Sequence, residues 1–138
     1  MQPFVWESRV RFVDTDASGR IHYTALFRHF EAAEFEFLRS LGCSYVTLEE
    51  GYPRVHVECD YLAALRCDDT ISTAVTVDRV GGTSFTLAFS VSLEGRQAAK
   101  GKITVVCIDR ATQRPRPLPE RLSESLRTSG VERASRRP

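Results

Sequence analysis

From residue 84 to 93 the side chains alternate: Phe85, Leu87, Phe89, Val91 and Leu93 against Ser84, Thr86, Ala88, Ser90 and Ser92. A period of two marks a strand with one buried face. The same period runs through residues 70 to 80, with Ile71, Thr73, Val75 and Val77 on one side. It recurs in residues 54 to 65 through Val55, Val57, Cys59 and Tyr61, and in residues 99 to 108 through Ile103, Val105 and Cys107. The links between these runs are Cys67-Asp68-Asp69, Val80-Gly81-Gly82-Thr83 and Glu94-Gly95-Arg96. Links this short predict antiparallel hairpins, and Glu-Gly suits a tight turn. Residues 4 to 13 predict one more strand, with Phe4, Trp6, Val10 and Phe12 on a common face.

Between the first strand and the other four the period changes. Residues 24 to 41 read TALFRHFEAAEFEFLRSL, with Leu26, Phe27, Phe30, Ala33, Phe37, Leu38 and Leu41 at helical spacing. Ala25 and Phe35 widen the apolar stripe beyond that of a surface helix, so this helix is expected to be wrapped by other elements. Thr24 is placed to cap its start and Gly42 to stop its end. After Asp109 the run RATQRPRPLP leads the chain off the sheet, and a short helix is expected over residues 119 to 128. The element order is strand, buried helix, four strands. One curled antiparallel sheet around one helix satisfies it, leaving a sheet edge that a second subunit can cover.

Composition narrows the function classes. The chain has 138 residues, 42% of them apolar and 27% charged, with net charge +1. Length and composition predict a single domain, here residues 1 to 128, followed by a disordered basic tail at 129 to 138. Residues 1 to 108 carry a balance of −3 and residues 109 to 138 one of +4. Near-neutral charge excludes nucleic acid and anionic membrane as main partners. No apolar run is long enough for a membrane span, and the N-terminus lacks the pattern of a signal peptide. Cys43, Cys59, Cys67 and Cys107 form no C-x-x-C pair, so reduced thiols in a cytoplasmic protein are expected and no metal site.

The candidate chemistry lies in DTDASGRIHY, residues 14 to 23, just ahead of the helix. Asp14 is read as a brace for the turn, and Gly19 as the residue that takes a positive φ. A helix start offers unpaired amides and partial positive charge, which is what a developing oxyanion needs. A carboxylate in the preceding loop can lie beside it. His29 reads as packing within the helix. A metal site from Asp14, Asp16 and His22 is the minor alternative.

The run FVDTDASGRIHY followed by a long helix, with PRVHVECDYLAALRCDDTI, RVGGTSFTLAFSV and CIDRATQRPRPLP downstream, resembles the 4-hydroxybenzoyl-CoA thioesterase family over about residues 5 to 126. The resemblance implies an α+β hotdog fold: a curled antiparallel sheet of five to six strands wrapped round one long central helix. It implies hydrolysis of an acyl- or aroyl-CoA thioester, CoA being part of the substrate and no cofactor being needed. Carried over, Asp16 is the catalytic carboxylate, the amide of Tyr23 or its neighbour holds the thioester oxygen, and His22 assists. Gly19, His56, Thr83, Ser84 and Phe85 are the substrate-binding candidates, with Thr83 to Phe85 supplied by the neighbouring subunit of a homodimer or homotetramer. Arg79, Arg110, Arg114 and Arg116 are candidates for CoA phosphates. Arg20 departs from the family pattern, where an apolar residue is common. The rival readings are an acyl-carrier-protein thioesterase and a non-catalytic acyl-CoA-binding module.

Overall fold

In the computed structural model, the backbone is described for residues 3–135 and the side chains as far as residue 129. Strand β1 (Phe4–Arg9) leads through a 3-10 turn (Phe12–Asp14) to helix α1 (Ala25–Ser40). Then come β2 (Glu50–Gly51), β3 (Arg54–Tyr61), β4 (Thr70–Val80), β5 (Ser84–Leu93), β6 (Arg96–Val106), β7 (Ile108–Asp109) and helix α2 (Glu120–Ser135). Five strands form one antiparallel sheet in the order β1-β4-β5-β6-β3, while β2 and β7 form a small ribbon beside it. This is the curled sheet around a central helix that the hotdog expectation describes.

Local signals set most of these bounds. The β5–β6 turn places Glu94 at φ 52° and Gly95 at φ 80°, the two positive values of a type I′ turn. Gly42, at φ 74°, ends α1 in the left-handed region as expected. The core forms where α1 meets the sheet. Leu26, Phe30, Ala33 and Phe37 are buried with Val75, Leu87, Phe89, Val91 and Ile103. The Phe30 ring stacks on Phe89 with centroids 4.7 Å apart. Gly101 of β6 permits this approach: a Cβ there would lie 2.7 Å from the Phe30 ring and 2.4 Å from the Glu58 carbonyl. Leu122 and Leu126 of α2 are buried as well, and that helix packs against β4.

Five expectations need correction. The Cys67-Asp68-Asp69 link closes no hairpin: the Asp68 N–H donates to the Val10 carbonyl at 2.7 Å, β4 takes β1 and β5 as its neighbours, and β3 joins the far edge on β6. The first strand stops at Arg9, and Phe12 is 74% exposed, because the Asp14 carboxylate accepts the Arg11 backbone N–H and draws the chain into the 3-10 turn. Thr24 makes no side-chain capping bond; its N–H donates instead to His22 Nδ1 at 3.1 Å. Helix α1 is not apolar all round. Phe35 is 38% exposed, whereas Glu34 beside it is 0% exposed. Helix α2 runs from Glu120 to Ser135, longer than the short helix expected over residues 119 to 128, and residues 136–138 of the expected tail lie outside the described residues. The four cysteines form no disulfide among the described residues.

Glu34 remains buried because it has partners. Its Oε1 accepts from Arg54 at 2.9 Å and its Oε2 from the Tyr45 hydroxyl. The Arg54 guanidinium also lies 4.8 Å from the centroid of the Tyr45 ring. Burial raises the Glu34 pKa, opposed by the Arg54 charge and by the hydrogen bonds from Tyr45 and Arg54. This network ties α1 to the start of β3.

Candidate functional site

The run from residue 14 to 23 folds as a small tethered loop. Gly19 has φ 82° and closes the turn by donating to the Asp16 carbonyl at 3.0 Å. The Asp16 N–H donates to the Arg20 carbonyl at 2.8 Å, and the His22 N–H to the Asp14 carbonyl at 2.7 Å. Together these bonds bring residue 16 back toward the start of α1.

Asp14 is the buried anchor of this loop. Its Oδ2 accepts from the Arg11 N–H at 2.9 Å and from His29 Nε2 at 2.9 Å, and Arg28 lies 3.3 Å from Oδ1. His29, buried on α1, has Nδ1 2.8 Å from the Ser8 hydroxyl. An ionised carboxylate only accepts, so Nε2 carries the proton in this arrangement. Strand β1, the turn and the helix are thereby latched together. His29 thus serves packing, as expected, but through hydrogen bonds. The brace expected of Asp14 is present.

Burial alone would raise the Asp14 pKa; the bonds from Arg11, His29 and Arg28 outweigh it and hold the carboxyl below its ordinary value. A carboxylate with a lowered native pKa adds stability above its ordinary pKa, and that stability is lost as pH falls through the native value. Asp14→Asn is therefore expected to cost about 2 kcal/mol at pH 7, the scale of hydrogen bonds to a charged group. The gap from the unsubstituted protein should narrow below about pH 4, where carboxylates protonate. Thermal melts of both proteins from pH 7 to pH 3 measure it. A constant gap across that range would contradict the assignment.

Asp16 is exposed. Its Oδ1 accepts from the Ser18 hydroxyl at 2.5 Å and from the Ser18 N–H at 2.8 Å. The Ser18 hydroxyl first, and then its amide, lower the Asp16 pKa, so the side chain is ionised at neutral pH. Asp16 and Tyr23 border one cleft of about 400 Å³, together with Arg20, Ile21 and the segment Tyr61 to Leu65. The Tyr23 N–H has no acceptor among the described residues, although the Tyr23 carbonyl accepts from the Tyr61 hydroxyl. Asp16, with its ionised carboxylate, Tyr23, whose N–H is without an acceptor among the described residues, and Tyr61 thus border one cavity.

The other candidates are placed elsewhere. The His22 ring lies 2.7 Å from the Thr24 hydroxyl and stacks on Tyr23 with centroids 4.6 Å apart; it does not line the cleft. His56, on β3, lies 3.0 Å from Glu58. Thr83 and Ser84 are outside the cleft, and the Phe85 ring is fully buried in the core, leaving only its backbone for a ligand. Arg116 forms ion pairs with Asp109 and Glu49. Asp14, Asp16 and His22 each have separate partners, and no metal-binding cluster occurs among the described residues.

Sequence reasoning missed Tyr61, Leu62 and Leu65 as cleft residues. The run Tyr-Leu-Ala-Ala-Leu at 61–65 breaks the strand alternation, and that break was the available signal. Strand β3 ends at Tyr61, and the Ile21 N–H donates to the Leu65 carbonyl at 2.8 Å, which folds the segment over the loop.

The profile of the thioesterase-like superfamily matches residues 10–126. A 1,4-dihydroxy-2-naphthoyl-CoA hydrolase of Synechococcus sp. (strain RCC307) is 34% identical over 128 residues, covering 87% of this chain and 98% of that one. The acyl-CoA thioesterase YbgC of Haemophilus influenzae is 27% identical, covering 89% of this chain and 93% of its own. Among solved structures, the 1,4-dihydroxy-2-naphthoyl-CoA thioesterase Slr0204 of Synechocystis superposes with a TM-score of 0.84 at 21% identity, over 91% of this chain and 96% of that one; at that identity the likeness is one of fold.

Proposed function

Because the chain belongs to the thioesterase-like superfamily, we propose that it hydrolyses acyl-CoA thioesters, with an aroyl group as the favoured acyl moiety, in the cleft that holds Asp16 and the amide at the start of α1. The observation that carries this reading is the shared cavity: an ionised Asp16 carboxylate and a Tyr23 N–H with no acceptor among the described residues border the same space. The rings of Tyr23 and Tyr61 in its wall suit an aromatic acyl group.

The thioester carbonyl oxygen points at the Tyr23 N–H, where the helix end favours negative charge. A carboxylate oxygen of Asp16 attacks the carbonyl carbon, and the electron pair of the C=O bond moves onto that oxygen. Collapse of the adduct re-forms the carbonyl and breaks the C–S bond, releasing the thiolate, which takes a proton from water. The resulting anhydride between Asp16 and the acyl group is then cleaved by water into the free acid and the regenerated carboxylate. A low pKa supports attack over general-base work, because a base is most effective with a pKa near the working pH, whereas a nucleophile needs only to be ionised and close.

The sheet edge supports an assembly. Among the described residues strand β3 pairs only with β6, and Val55 and Val57 on it are 60% and 49% exposed. We place a second copy of the chain along this edge, in a homodimer or a tetramer built from it. The neighbour's Thr83 to Phe85 backbone then lies along the substrate's pantetheine arm, since the chain's own segment does not border the cleft.

Free-thiol release across short, long and aromatic acyl-CoAs, with the matching acyl-carrier-protein thioesters in parallel, tests the reaction. Turnover of aroyl-CoA is the expected result. Turnover of carrier thioesters alone would move the substrate class, and tight acyl-CoA binding with no thiol released would make the chain a binding module.

A further inference from the structure

Arg20 and Arg66 face each other across an isolated antiparallel bridge. The flanking bond from the Ile21 N–H to the Leu65 carbonyl, 2.8 Å, makes them a non-hydrogen-bonded pair, the kind whose Cα atoms approach to about 4.5 Å. Directly opposed residues send their side chains to one side of the ribbon, and like charges so placed are destabilising. Both residues are exposed. Among the described residues neither guanidinium has an ion pair; other exposed arginines such as Arg79 and Arg114 share that state, and what sets this pair apart is that the two stand opposite each other.

The surrounding carboxylates do not relieve this repulsion. Asp16 accepts from Ser18. Asp69 accepts the backbone N–H of Arg66 at 2.8 Å, and among the described residues Asp68, in the same turn, forms no ion pair with either guanidinium. Arg20 also borders the cleft beside Asp16, Tyr23 and Tyr61. Arg20 at the cavity rim and Arg66 opposite it on the ribbon send two guanidiniums without a carboxylate partner among the described residues to one side, an arrangement suited to a bidentate oxyanion.

We propose that Arg20 and Arg66 form an oxyanion subsite at the rim of the Asp16 cleft, binding a phosphate or carboxylate of the thioester substrate. The proposal rests on the thioesterase reading of that cleft. The anion has two possible sources, the phosphates of CoA or an acidic substituent on the acyl group, and one set of variants separates them.

Arg20→Gln, Arg66→Gln and the double variant are compared on benzoyl-CoA, benzoyl-pantetheine and carboxybenzoyl-CoA. If the subsite holds CoA phosphate, the ratio of kcat/KM for benzoyl-CoA over benzoyl-pantetheine falls about tenfold in the double variant, through KM. If it holds the acyl acid, the ratio for carboxybenzoyl-CoA over benzoyl-CoA falls instead. A change of less than threefold in both ratios overturns the proposal. Calorimetric binding of CoA and of terephthalate reads the subsite without turnover. Weakening of either by about tenfold in the double variant upholds it even if no thioester is cleaved. Equal binding by both proteins, or none by the unsubstituted one, overturns it. Failure of the thioesterase reading is separate: it appears as no thiol release from any thioester.

Discussion

Asp16→Asn is expected to lower kcat for aroyl-CoA hydrolysis by about a thousandfold or more, the scale of losing a catalytic nucleophile or base. The fold should not change with it. Asn keeps the side-chain carbonyl oxygen that the Ser18 hydroxyl and amide approach at 2.5 and 2.8 Å, and residue 16 is exposed. A melting temperature within a degree or two of the unsubstituted protein therefore accompanies the lost activity, since surface changes of this kind are worth about 0.5 kcal/mol or less. Unchanged turnover would remove Asp16 from the chemistry. The role of the carboxylate is read by single turnover in heavy-oxygen water. A peptide containing Asp16 that gains one heavy oxygen marks attack by the side chain, and so does an Asp16 hydroxamate formed when hydroxylamine traps the anhydride; label in the released acid alone fits either route.

The largest effect on stability is expected at Arg54. Removing its guanidinium leaves Glu34 fully buried with only the Tyr45 hydroxyl as partner. Breaking a buried pair from one side costs about 3–5 kcal/mol, because the remaining charge is stranded away from water. For a chain of this size Arg54→Ala should lower the melting temperature by roughly 10 °C or more. The double variant Glu34→Leu with Arg54→Met should recover much of that loss, since an apolar replacement strands no charge. Urea and thermal unfolding of the three proteins measure it. A loss under about 1 kcal/mol for Arg54→Ala would mean that Glu34 is protonated or solvated in the native state.

These two residues also show how much of the protein was legible in the sequence. For Asp16 the local setting is legible, since a short loop, a glycine at positive φ and a helix start lie within a few residues of it, but its reading as the catalytic carboxylate is what the family resemblance implies. Glu34 was passed over, and Phe35 was placed in the buried stripe. Helical spacing ranks neighbouring positions by hydropathy, whereas the partners that hold Glu34 in the core are 11 and 20 residues away. Phe12 fails for a related reason. Its alternation with Val10 is sound, but the Asp14 carboxylate captures the Arg11 N–H and ends the strand first. Thr24 is the N-cap residue of α1, as residue preference predicts, but its hydroxyl meets the His22 ring and makes no capping bond to the first turn.

Strands β4 and β5, at Thr70–Val80 and Ser84–Leu93, have the bounds that alternation and turn chemistry predict, because both are properties of adjacent residues. The sequence by itself therefore determined the order of the five sheet strands and the two helices along the chain, the β4–β5 and β5–β6 hairpins, and the loop that carries the catalytic candidate, whereas the Cys67-Asp68-Asp69 link closes no hairpin and β3 pairs with β6. Only the tertiary structure decided that residues 61–65 fold over that loop, that Arg20 stands opposite Arg66 at the cleft rim, and that a glutamate is buried in the core. Each of those depends on groups far apart in the chain meeting in space, where a hydrogen bond or a shared charge outweighs what neighbouring residues prefer.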